Sequence, residues 1–453
     1  MTGSLAFASI GELSTRLRNR EVSASRLIDL YADRIGRLGA TSKAFITNDI
    51  ERARARAEII DQNFDNSLAL NGIPYSCKDL YHVKGLVTTG GSQVLQDNLA
   101  QEDAAAVKRM DQAGAIFIGK NNLHEFAYGA TGENTLYGTP PNPYDHSRLA
   151  GGSSSGSAAA LGFGLCAAAL GTDTGGSVRA PAALCGLVGF KPTFGRVSTE
   201  GVIPYSWSLD HVGTLTRSAA DAGLLFEQLA LQHRPGKRTG LDQLTIGIPE
   251  SFFFERCDCE ILDSVDALMS FLRGAGANLK PVVMPSMEYT RTVSLTVQMP
   301  EALSYHNRYL EQRGHLYSQD FRAGLALGQC LLAEQYIRAR RFIETYRNNM
   351  DQVFAGVDVI LTPATPVIAP EIGVVEVTVD GHSEPAGNAI TRYTSFFNMT
   401  GHPAITLPCG MHSEGLPIGA QFIGKHFADE QLIDVAQQIE SGYDFELPLP
   451  DLE

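Results

Sequence analysis

Two glycine- and serine-rich runs, Gly151-Gly-Ser-Ser-Ser-Gly-Ser and Gly171-Thr-Asp-Thr-Gly-Gly-Ser-Val-Arg, lie inside apolar sequence. The first leads straight into Ala158-Ala-Ala-Leu, and the second is followed by Leu184-Cys-Gly-Leu-Val-Gly-Phe. Composition alone would fit a flexible linker, but linkers are not walled in by core-forming residues. Small residues in this setting mean that backbone packs closely against something, with glycine supplying positive φ angles and exposed N–H groups. The chain around these runs therefore has to fold as a dense, layered unit.

The flanking patterns say which kind. Short apolar runs bounded by turn residues, among them Gly72-Ile-Pro-Tyr-Ser-Cys, Ala115-Ile-Phe-Ile and Leu187-Val-Gly-Phe, alternate with helical stretches such as Ala104 to Gln112. A long helix is predicted over Leu331 to Phe354, followed by a buried strand at Val357-Asp-Val-Ile-Leu. This is an α/β pattern, with a central mixed, mostly parallel sheet covered by helices on both faces. No low-complexity linker, repeat or charge block divides the 453 residues, so 1–453 reads as a single large domain. Within it, 1–70 reads as a helical segment opened by the capping-box pattern Ser9-x-x-Glu12, and 280–330 as a less regular cap or pocket insertion.

Charge and cysteine content narrow the function. Lys plus Arg total 36 against 50 Asp plus Glu, a net charge of −14, and no run of five basic residues occurs. That balance gives no footprint for nucleic acid or an anionic membrane. The run from Ala158 to Gly171 is too short and too rich in small residues to span a bilayer, and the N-terminus lacks a signal-like pattern. Seven scattered cysteines argue for reduced thiols and a cytoplasmic setting, and Cys257-x-Cys259 has no partner pair for zinc. Neither a metal nor a cofactor is expected. Gly114-Ala-Ile-Phe-Ile-Gly-Lys120 lacks the Ser/Thr of a phosphate loop, and His124-Glu125 lacks the second histidine of a zinc protease.

A serine hydroxyl needs a base, usually histidine. The chain has no GxSxG elbow, and no histidine follows the Gly/Ser segment until His211. A lysine can serve if burial lowers its pKa. Lys78 closes an apolar, strand-like run; from that stretch alone, an ion pair with Asp79 and a deprotonated base are equally open. Strand alternation points the neighbouring Cys77 to the opposite face, into core. Ser154, Ser155 and Ser157 read as hydroxyls that satisfy nearby backbone.

Four segments then go together: Asn71-Gly-Ile-Pro-Tyr-Ser-Cys-Lys-Asp, the whole run from Gly151 to Thr193, Phe396-Phe-Asn-Met-Thr-Gly-His-Pro-Ala-Ile and Gly415-Leu-Pro-Ile-Gly-Ala-Gln-Phe-Ile-Gly. On these motifs, their order and their spacing, the sequence resembles the amidase signature family over nearly its whole length. The resemblance implies a Ser-cisSer-Lys triad, with Ser177 as nucleophile, Ser153 as the cis-serine that relays protons, and Lys78 as base. The backbone N–H groups of Thr174, Gly175, Gly176 and Ser177 are the candidate oxyanion hole, because tightly turned Gly-rich backbone can aim several donors at one oxygen. Asp173 and Arg179 are expected to hold that loop by a charge-assisted pair. By resemblance, the segment containing Ala127, Tyr128 and Gly129 borders the acyl pocket.

The expected activity is hydrolysis of a non-peptide C–N amide bond in a small molecule, and of esters or carbamates whose carbonyls meet the same groups. The expected partner is that substrate alone, with a homodimer as the candidate assembly. The alternative is the glutaminase-like subunit of a tRNA-dependent amidotransferase. An inactive scaffold is disfavoured by the retained triad.

Overall fold

The computed structural model describes residues 5–452 apart from 233, 235 and 237. Its strands, in chain order, are β1 (Phe45–Asn48), β2 (Pro74–Lys78), β3 (Ile116–Asn121), β4 (Ala168–Asp173), β5 (Val188–Lys191), β6 (His211–Thr216), β7 (Thr245–Pro249), β8 (Asn278–Val282), β9 (Val359–Pro363), β10 (Glu376–Val379), β11 (His382–Pro385), β12 (Ala404–Met411) and β13 (Pro417–Gly424). Eleven of them form one sheet in the order β1-β3-β2-β4-β6-β5-β12-β13-β9-β7-β8, and β10 and β11 form a separate hairpin. Strands β2, β4, β5, β6, β9 and β13 are buried at every residue. Burial on both faces requires helices on both sides of the sheet, which explains why these segments read as continuous apolar runs.

The single α/β domain with a mixed sheet is what the sequence led us to expect. Parallel pairing falls in two blocks, β3-β2-β4 and β9-β7-β8, where helical crossovers join the strands. Between them, β4 to β9 pair antiparallel, so the parallel share is smaller than the alternation of helices and apolar runs suggested. The physical reason is that a fully buried antiparallel strand carries the same apolar run as a parallel one. The β12–β13 hairpin supplies part of this central block.

The first seventy residues hold the helices Ile10–Arg18, Ala24–Ser42 and Ile50–Gln62, the first two capped at Ser9 and Ser23 by side chains that accept from the N–H groups of Glu12 and Arg26. The helical reading missed β1, a four-residue edge strand too short to show a period. The segment 280–330 is more regular than its sequence: Thr290–Arg313 and Gln319–Cys330 are helices, the first with Pro300 inside it. Proline and a mixed polar face hide the 3.6-residue period there. Among the described residues no helix is long and apolar enough to cross a membrane.

Candidate active site

Lys78 is the last residue of β2, and the parallel neighbours β3 and β4 end beside it. Ligands in open α/β sheets gather at such carboxyl ends, and here β4 also marks the switch from parallel to antiparallel pairing. The Gly/Ser runs supply the rest of the site. Ser153 lies just before the buried helix Ser155–Gly162, and the Gly152–Ser153 peptide bond is cis. Ser177 lies in the turn that joins β4 to the helix Arg179–Leu184.

The Lys78 amine is fully buried. It donates to three hydroxyl oxygens: Ser153 Oγ at 2.7 Å, Thr172 Oγ1 at 2.9 Å and Ser154 Oγ at 3.2 Å. These satisfy the three donors of an ammonium group without any carboxylate. Burial pulls its pKa down to about 7, against the smaller opposing pull of Asp210 and Asp173. The adjacent Asp79 faces away and pairs with Lys120 at 2.5 Å. Of the two readings left open by the sequence, the Lys78–Asp79 pair is therefore not formed. Cys77 is buried on the other face, and burial pushes its thiol up to about 12.

The other serines of the run bond backbone, Ser154 to Thr172 O, Ser155 to Gly132 O and Ser157 to Leu170 O. Ser177 lines a cavity of about 180 Å³, and its hydroxyl makes no hydrogen bond among the described residues. Thr174 and Gly175 line the same cavity, and the backbone N–H groups of Thr174, Gly175 and Ser177 have no acceptor among the described residues. Gly176 differs. Its N–H donates to Asp173 Oδ1 at 2.8 Å, which removes it from the set of free oxyanion donors. What Gly176 provides is shape: its φ is 125°, and an added Cβ would fall 1.9 Å from Thr394 Oγ1.

Asp173 and Arg179 form a fully buried ion pair at 2.9 Å. Burial alone would raise the Asp173 carboxyl, but the Arg179 guanidinium beside it holds it well below the usual carboxylate range. Arg179 also donates to Asn398 Oδ1, Gln421 Oε1 and Thr394 O, tying the loop to β13 and to the segment before β12. Ala127, Tyr128 and Gly129 line the cavity opposite the loop. Gly129 packs so closely on His124 that a Cβ would fall 2.2 Å from the ring. That ring is neutral, since burial and Lys78 push its pKa down to about 4.

The family model for amidases matches residues 26–433. The chain belongs to the amidase family. It is 33% identical to a glutamyl-tRNA(Gln) amidotransferase subunit from Dechloromonas aromatica, over 97% of this chain and 98% of that protein. Among solved structures, one described as an amidase superposes with a TM-score of 0.91 at 33% identity, covering 96% of this chain and 99% of the other. The corresponding glutamyl-tRNA(Gln) amidotransferase subunit from Thermotoga maritima superposes at 0.83 with 29% identity, covering 99% and 98%. This amidase is thus an amide-hydrolysing enzyme.

Sequence reasoning missed part of the amidase site. Thr172 and Ser154, which share the Lys78 amine, lie in the two Gly/Ser runs but resemble ordinary backbone-satisfying hydroxyls until the strands are paired. Arg291, Gln298 and Asn388 reach the cavity from segments far away in sequence, with no local signal. Among the described residues, Asp351, His402 and His426 could approach one metal ion, and none of them lines the cavity. The two imidazole rings there stack at 3.7 Å, too close for both to hold one tetrahedral ion without moving apart.

Proposed function

We propose that this amidase cleaves a small amide through an acyl-enzyme on Ser177, with Ser153 as proton relay and Lys78 as base. The observation that carries the reading is the Lys78 amine, buried without a carboxylate, 2.7 Å from Ser153 Oγ and poised near neutrality. Neutral Lys78 takes the Ser153 proton as Ser153 takes that of Ser177. The Ser177 oxygen bonds the amide carbon, and the C=O electrons move onto oxygen. The N–H groups of Thr174, Gly175 and Ser177 receive that charge. The C–N bond then breaks as the relay returns the proton to nitrogen, and water, activated by the same relay, releases the acid. The Ser177 to Ser153 hydrogen bond is assigned to the substrate-bound state, since catalytic hydrogen bonds often tighten only then.

The names of the sequence relatives favour the glutaminase-like subunit of a tRNA-dependent amidotransferase over a stand-alone amidase. The closer superposition on the solved amidase favours the second reading. Seven unpaired cysteines support a reducing, cytoplasmic setting for either. Ammonia release by the isolated chain, over aliphatic, aryl and carbamate substrates and L-glutamine, tests the choice. Turnover without partners supports the stand-alone amidase; glutaminase activity that emerges only with added subunits supports the other. Light scattering of the same sample reads the proposed homodimer.

A further inference from the structure

Arg291 is the single formally charged side chain among the residues lining the Ser177 cavity. It is solvent-accessible there and, among the described residues, makes no hydrogen bond or ion pair. Of the other arginines close to this region, Arg179 is matched by Asp173, Arg392 by Glu384 and Arg340 by Glu301, while Arg256, in the adjoining cavity that Arg291 also lines, is unmatched like Arg291 among the described residues. What sets Arg291 apart is its place, in the cavity that Ser177 also lines. Its position also runs against local electrostatics. Arg291 is the second residue of the helix Thr290–Arg313, where the macrodipole disfavours a cation, and no acid occupies that first turn.

The groups around it suit an anion. Tyr128 and Tyr205 line the same cavity as Arg291, and their rings meet edge-on at 6.1 Å. Neither hydroxyl has a hydrogen-bond partner among the described residues, although Tyr205 is only 4% exposed. Tyr128 is fixed in place by Gly324, where an added Cβ would fall 2.5 Å from its hydroxyl, and by Phe321 at 5.3 Å. A guanidinium fork that shares its cavity with two unpartnered phenol hydroxyls matches a carboxylate, which Arg binds through paired hydrogen bonds.

We propose that Arg291 is the specificity residue of this amidase and that the substrate is a small amide bearing a carboxylate. The cavity reaches from Ser177 to Arg291, so one short molecule spans both. No acidic side chain lines it, so an ammonium group on the same molecule finds no counter-ion there. The proposal rests on the acyl-enzyme reading at Ser177, not on the choice between stand-alone enzyme and subunit.

The test compares glutaramate, its neutral analogue glutaramide and its zwitterionic analogue L-glutamine, with N-acetylglycine against N-ethylacetamide for a carboxylate on the leaving side. In at least one pair the carboxylate should raise kcat/KM by about 100-fold, chiefly through KM. L-Glutamine should trail glutaramate by about tenfold. Arg291→Gln should bring the anionic-to-neutral ratio to about 1, and Arg291→Lys should restore part of it. A ratio near unity in the parent enzyme for both pairs, or one unchanged in Arg291→Gln, overturns the proposal. Calorimetric binding of the same pairs to Ser177→Ala protein separates the two readings. Tighter binding of the anion without turnover in the parent enzyme faults the acyl-enzyme reading alone, whereas equal binding faults Arg291.

Discussion

Asp79 gives its carboxylate to Lys120, at 2.5 Å, and not to its chain neighbour Lys78. Alternation along β2 separates the two side chains, and Thr89 holds the Asp79 carboxylate from the other direction through its N–H at 2.9 Å. Lys78 is therefore buried among hydroxyls with no counter-ion in contact, and its charge is the unstable member of the site. Replacing Lys120 by Met should strand the Asp79 carboxylate in the core and cost about 3–5 kcal/mol, read by urea denaturation.

The pH dependence follows from Lys78. Only its neutral form can accept a proton, so kcat/KM should rise with pH through about 7 and level off above it, provided chemistry limits the rate. A flat profile from roughly pH 6 to roughly pH 9 contradicts a lysine base. Stability should move the same way. The folded pKa lies below the usual lysine value of 10.5, so between about 7 and 10.5 the unfolded chain binds more protons than the folded one. This group therefore destabilises the fold at neutral pH, and that penalty fades as pH rises toward 10.5. The parent protein should accordingly gain on a Lys78→Met variant as pH is raised through that window.

Thr172→Val tests the hydroxyl cage. Its Oγ1 accepts from Lys78 and favours the charged amine, so losing it should lower the lysine pKa further and move the rising limb of the pH–rate curve to lower pH. The displaced hydrogen bond should also reduce kcat by about tenfold. An unmoved limb contradicts the contact.

Much of this site was legible in the sequence, and the reason is local. Gly151 to Ser157 and Gly171 to Arg179 each hold several functional groups within one turn, so motif and chemistry coincide. The strand ending at Lys78 was readable for the same reason, as was the Asp173–Arg179 pair. What escaped is tertiary. Gly176 reads as an oxyanion donor because it sits in the same tightly turned Gly-rich stretch as the other candidates, yet only the folded loop reveals that Asp173 takes its N–H. The helix carrying Arg291 was hidden by Pro300, and antiparallel pairing at the centre of the sheet leaves no mark in a run of buried residues.

Gly176→Ala probes shape apart from chemistry. Its positive φ and the approach of Thr394 leave no room for a Cβ, and the strain falls on the loop that carries the free N–H groups. Activity should fall by about 100-fold or more, while the melting temperature shifts by only a few degrees, about what 1–3 kcal/mol produces in a large domain. Near-normal turnover would show that the loop tolerates a different path.

Arg179→Ala should be harsher. It leaves the Asp173 carboxylate buried and unpaired and strips donors from Asn398 and Gln421, so a loss of about 3–5 kcal/mol is expected by thermal or chemical denaturation. The Asp173 carboxyl is held low in the native state, so it contributes stability above its unfolded pKa, and this is lost as pH falls through the folded value. The difference between parent and variant should therefore shrink in acid.

The acyl-enzyme on Ser177 is tested most directly by Ser177→Ala, assayed for ammonia release beside the parent enzyme on the best amide found, with circular dichroism and melting temperature as controls for folding. The hydroxyl makes no structural hydrogen bond among the described residues, so the fold should be unchanged while kcat falls by about 10⁴-fold or more. A folded Ser177→Ala protein that still hydrolyses the amide at the parent rate would contradict the account.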